Sequence, residues 1–148
     1  MVRPDAFAED RTMVRLLLII CGLLMAPLAE VASAQSQFSP AIQVGDRVIT
    51  RYQIDQRALF LGVLGAPGDI RTVAREQLTN EAVQLNAADA AGLEVAPAQV
   101  EAGMAEFAAR GNLEVDRVIE ILGQAGIEEE TFRSFILAGV AWLSLIHI

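Results

Sequence analysis

Asp69-Ile70-Arg71-Thr72-Val73-Ala74-Arg75-Glu76-Gln77-Leu78-Thr79-Asn80-Glu81-Ala82-Val83-Gln84-Leu85 decides the class of fold. Ile70, Val73, Ala74, Leu78, Ala82 and Leu85 recur at helical spacing, and Arg71, Arg75, Glu76 and Glu81 take the other face. Asp69 stands where an N-cap belongs and Gly92 where a helix stops, so the longest helix of the chain is expected here.

Upstream, Ile42-Gln43-Val44 and Arg47-Val48-Ile49 flank Gly45-Asp46, which predicts a small hairpin. A lone hairpin is marginal in water, so it must lie on another element. Thr50-Arg51-Tyr52-Gln53 has the form of a capping box ahead of Ile54, Ala58 and Leu61, and a helix is expected from Arg51. It should end in Gly62-Val63-Leu64-Gly65-Ala66-Pro67-Gly68, where three glycines and a proline disfavour continuation.

Downstream, Pro97 suits a first helical position, and Val100, Met104, Phe107 and Ala108 form one stripe up to Gly111-Asn112. A short fourth helix carries Val115, Val118, Ile119 and Leu122 and is expected to stop at Gly123, with Gly126 in the connector. A fifth begins near Glu129, its acidic start suited to the positive end of a helix, with the stripe Phe132, Phe135, Ile136, Val140 and Leu143. The expected fold class is mainly α: a small N-terminal β-hairpin followed by about five helices, preceded by a signal-peptide helix.

The signal peptide is read over residues 1–34. Arg15 precedes an apolar run from Leu16 to Met25, Pro27 follows, and Ala32-Ser33-Ala34 places small residues where a signal peptidase cuts, so cleavage is expected between Ala34 and Gln35. Met13 opens a more compact leader, which makes residues 1–12 look like an upstream misassigned start. Cys21, the sole cysteine, lies inside the apolar run. Its loss with the leader would exclude disulfides and thiolate chemistry and suits an oxidising compartment.

Charge narrows the partners. The 11 basic residues are all arginines against 19 acids, for a net charge of -8; beyond residue 34 there are 8 arginines and 15 acids. That balance excludes the cationic surface on which phosphate-backbone binding depends, so no nucleic-acid partner is expected. His147 is the single histidine, so no histidine-based metal site or catalytic pair can be assembled. Asp89, Glu94, Asp116 and Glu128 to Glu130 read as solvated faces and helix starts. Gly62, Gly65 and Gly68 lack the lysine-bearing phosphate motif and read as loop punctuation. Neither a catalytic group nor a small-molecule cofactor is expected.

Four segments in order carry a family likeness: Val44-Gly45-Asp46-Arg47-Val48-Ile49-Thr50, Asn86-Ala87-Ala88-Asp89-Ala90-Ala91-Gly92-Leu93-Glu94-Val95, Gly111-Asn112-Leu113-Glu114-Val115-Asp116, and Ala125-Gly126-Ile127-Glu128-Glu129-Glu130-Thr131-Phe132-Arg133. With the leader before them, they resemble the N-terminal domain of the SurA family of periplasmic chaperones and prolyl isomerases, over roughly Ala41 to Trp142. Residues 35–41 read as a polar lead-in, and the resemblance implies a helical chaperone domain at 42–142, a periplasmic location, and unfolded outer-membrane proteins as clients. It also implies that the parvulin-type peptidyl-prolyl isomerase domains of the whole gene product would lie beyond residue 148, leaving this part non-catalytic. Membrane contact is expected only through the signal peptide before cleavage.

Leu143-Ser144-Leu145-Ile146-His147-Ile148 departs from the charged helical continuation of that family and reads as a non-native tail. Met104, Phe107, Phe132 and Phe135 are the candidate client-binding residues, because thioether and aromatic surfaces adapt to varied apolar guests. Core packing is the commoner fate of such stripes. Tyr52 and Trp142 fit either role. Two competing readings remain: a membrane-associated protein in which Phe135 to Ile148 opens a spanning segment, and an exported structural domain with no client.

Overall fold

The computed structural model describes residues 37–147. The expected leader and the cleavage expected between Ala34 and Gln35 lie outside them. Strands β1 (Pro40–Val44) and β2 (Arg47–Thr50) form an antiparallel hairpin, followed by helices α1 (Arg51–Val63), α2 (Ile70–Ala90), α3 (Pro97–Arg110), α4 (Val115–Gln124) and α5 (Glu129–Ile146). The described chain is mainly helical, as the hydrophobic spacing requires.

Val44 faces Arg47 across the Gly45-Asp46 turn. Gly45 has φ +59, a left-handed conformation at the first central position that a β-carbon would oppose. The hairpin does lie on another element: Asn86 of α2 donates from Nδ2 to the Val44 carbonyl (2.9 Å) and accepts from Arg47 Nε on Oδ1 (2.9 Å). Arg47 continues to Asp89 at 2.6 Å. One amide side chain thus meets both strands and satisfies a strand carbonyl.

Local chemistry sets the helix starts. Thr50 Oγ1 accepts from the Gln53 N–H (3.2 Å) and Gln53 Oε1 accepts from the Thr50 N–H (2.8 Å), completing the capping box of α1. Asp69 caps α2 through the Arg71 N–H and the Thr72 hydroxyl. At α3 only half a box is possible, because Ala96 has no side-chain acceptor; Gln99 Oε1 still accepts from the Ala96 N–H at 2.9 Å.

α4 runs past the expected stop at Gly123 and ends at Gln124. Its terminator is Gly126, at φ +77, which lets the Ile127 N–H reach back to the Leu122 carbonyl at 2.9 Å. A glycine inside a last turn costs helix stability without ending it; the reversal needs the left-handed residue just past the end.

The core has two centres. Ile49, Ile54, Leu61, Ala74 and Ala82 pack beneath the hairpin between α1 and α2. Phe60, Met104, Leu122, Phe132 and Ile136 join α1, α3, α4 and α5. Phe60, with no exposed surface, is the hub; full burial of such a side chain stabilises by about 1.5–3 kcal/mol. Two expectations of facing are corrected. Glu81, expected on the outer face of α2, turns inward to an arginine of α1. Leu143, expected in the α5 stripe, is 55% exposed, and small Ala138 and Ala141 are buried instead because α5 lies close against α2.

Candidate functional site

The fifth helix is positioned by one buried side chain. Gln56 of α1 accepts the Glu128 N–H on Oε1 (2.9 Å) and donates from Nε2 to the Gly126 carbonyl (3.0 Å). Glu128, the N-cap of α5, makes no capping bond with its own side chain. Gln56 therefore closes the connector between α4 and α5 and binds the amide that opens α5, which sets where its aromatic residues fall.

Those residues meet in a cluster of four phenylalanines. The Phe60 ring lies 5.2 Å from Phe135, 6.1 Å from Phe132 and 6.4 Å from Phe107, while Phe107 and Phe135 meet edge to face at 6.3 Å. These separations are those of favourable tilted aromatic pairs.

Of the four residues expected to face a client, two are enclosed. Met104 and Phe132 are 2% and 0% exposed and belong to the core. They sit at the centre of the α3 and α5 stripes, packed in the core with Phe60 of α1 and Leu122 of α4. Phe107 and Phe135, at the stripe edges, are half-buried and line surface grooves.

Two apolar grooves adjoin at Phe107. The first, about 320 Å³, runs between α2, α3 and α5; Phe107, Phe135, Ile136 and Val140 form its apolar wall, Gly103 and Gly139 widen it, and Glu81, Gln84 and Glu106 stand at its polar side. The second, about 380 Å³, lies between the ends of α1 and α3 and the side of α4; Val63, Leu64, Leu113 and Ile121 form its accessible wall, over buried Phe60 and Leu122. Phe107 and Arg110 border both. Volumes of this size hold a few apolar side chains of a guest.

Gly103 makes the first groove possible. A β-carbon there would lie 2.7 Å from Ile136 Cγ2 and 3.3 Å from Val140 Cγ2, closer than packed atoms tolerate. Hydrophobic spacing places Gly103 inside α3 without revealing the helix it approaches.

Sequence reading missed Arg57. Its side chain is 1% exposed and forms a forked pair with Glu81, NH1 to Oε1 and NH2 to Oε2, the latter at 2.9 Å. Its guanidinium carbon also lies 5.2 Å from the centre of the Phe135 ring. A charged residue between Gln56 and Ala58 in an amphipathic helix reads as solvated; the only available signal was that Ile54, Ala58 and Leu61 flank it closely.

Tyr52 packs its ring 5.2 Å from that of Phe38, and Trp142 is 41% exposed; neither borders the two grooves. Among the described residues no helix is long and apolar enough to cross a membrane, and no group of three or more histidines, cysteines or acids is placed to hold a metal ion. No family model, curated protein or solved structure matches the chain.

Proposed function

We propose that this chain is the helical N-terminal domain of a SurA-like periplasmic folding helper, exported by a cleaved signal peptide, which holds unfolded outer-membrane proteins. The observation that carries the reading is the pair of adjoining apolar grooves that meet at Phe107, on a domain whose exterior is acidic. Guests of varied sequence are held by non-directional apolar burial, which asks only for adaptable walls.

Weak, reversible holding follows from the dimensions. A few guest side chains, each contributing at most about 1.5–3 kcal/mol and offset by the cost of immobilising the guest, give affinities on the order of micromolar. A holding protein needs to release its client, so this range suits the role.

The test is suppression of aggregation of a porin diluted from urea, measured by light scattering with the full chain present. Protection is expected. Replacing Val63 and Leu64, both 47% exposed at the second groove, with glutamine should reduce protection while leaving the unfolding midpoint nearly unchanged. No protection by the parent chain would instead favour an exported structural domain with no client, the reading that buried Met104 and Phe132 fit. A binding role needs no catalytic group, so the chain should not accelerate prolyl isomerisation of a model peptide; substantial turnover would overturn that assignment.

A further inference from the structure

Arg57 lies behind the first groove without bordering it, and it touches two residues that do. Its planar fork engages both carboxylate oxygens of Glu81 on α2, and the same guanidinium lies 5.2 Å from the centre of the Phe135 ring on α5. We infer that Arg57 is a positioning residue, which fixes Glu81 and Phe135 from beneath and so gives the groove its shape. The inference rests on the reading of that groove as a binding surface.

Stability is a poor reason for the pair. Taking two charges out of water offsets most of their attraction, and well-packed apolar residues of similar volume often serve as well or better. Arg57 Nε has no partner despite its burial, which is a further cost. What an apolar pair cannot supply is direction. A two-point fork fixes the rotation of the Glu81 carboxylate, and a flat cation favours the face of an aromatic ring. Glu81 and Phe135 are thereby held in one arrangement before a guest arrives, which lowers the ordering cost of binding.

The test uses three full-length variants: Arg57→Lys, Arg57→Met, and Arg57→Met with Glu81→Leu. Arg57→Met alone leaves Glu81 without its partner and reports the cost of breaking the pair. The double variant removes both charges and separates shape from stability. Each is measured for its urea midpoint, for binding of the neutral dye Nile red, and for nuclear Overhauser contacts from the Phe135 ring to Phe60 and Phe107.

The double variant should unfold at a midpoint equal to or above the parent's, yet bind the dye roughly tenfold more weakly and lose or broaden the Phe135 contacts. Arg57→Lys, which keeps the charge and loses the fork, should follow it in dye binding and ring contacts. A double variant with parent-like dye binding and sharp Phe135 contacts would overturn the inference. Porin protection is scored separately: if the parent gives none while the dye and ring results fall as expected, the holding role fails and the positioning role stands.

Discussion

Gly103 of α3 faces Ile136 of α5 so closely that a single added β-carbon would come within 2.7 Å of the isoleucine Cγ2. The contact sets the spacing of the two helices and the depth of the groove beside them. Gly103→Ala should destabilise by about 1–3 kcal/mol, the usual cost of overfilling a packed contact, despite the better helix propensity of alanine. Urea unfolding gives the answer, and a stabilised variant would mean that the helices part without cost.

Gln56 satisfies groups on a different segment. Removing it in Gln56→Ala leaves the Gly126 carbonyl and the Glu128 N–H without their partner, an expected loss of about 1–3 kcal/mol. Gln56→Glu can still accept from Glu128 but cannot donate to Gly126 when ionised, and it adds a negative charge beside Glu128 and Glu129. Its deficit should therefore be larger at pH 7 than at pH 4, which thermal unfolding at the two values can measure.

The hairpin depends on Asn86. Asn86→Ala should leave the helices intact while hydrogen exchange at the amides of β1 and β2 quickens by roughly tenfold, the equivalent of one or two lost bonds. Equal acceleration throughout α3 and α5 would show global destabilisation, not local release.

Asp69 supplies a pH dependence. The Thr72 hydroxyl, helped by backbone N–H groups of Arg71 and Thr72, holds its carboxyl below the usual carboxylate range. The folded state thus releases the proton more readily than the unfolded one. The resulting stability is present above the ordinary carboxylate value and is lost as pH falls through the lowered one. Asp69→Asn, which caps without ionising, should remove this component from the acid limb of the unfolding profile and keep α2 helical by circular dichroism. An unchanged acid limb would assign the dependence to other acids.

Tyr52 acts at the other extreme. A hydrogen bond to the Glu128 side chain, with burial and the charge of that carboxylate adding to it, raises its phenol above the ordinary value, so its contribution is present below the unfolded value and lost as pH rises through the raised one. Tyr52→Phe should flatten the alkaline limb; spectroscopic titration at the tyrosinate band checks the direction.

The boundaries of the elements were legible because they are settled locally. Thr50 with Gln53, Asp69, Pro97 and the turn glycines act on backbone groups a few residues away, so their meaning survives without knowledge of the rest of the chain. Gly123 was misread because two glycines near one helix end compete, and only backbone conformation shows that Gly126 is the left-handed one. Of the four candidate residues, Phe107 and Phe135 line the first groove, while Met104 and Phe132 share their stripes and are enclosed, a difference that spacing along the helix does not reveal.

Amino-acid order alone determined that the described residues form a hairpin followed by helices, where α1, α2, α3 and α5 begin, and that their net charge is acidic. Tertiary structure decided which edge of each stripe stays open, that Arg57 and Glu81 meet inside, and that Asn86 and Gln56 hold segments 42 and 72 residues away. The reason is one of range: capping and periodicity act within a turn or two of the chain, whereas burial of a side chain depends on which distant face arrives to cover it.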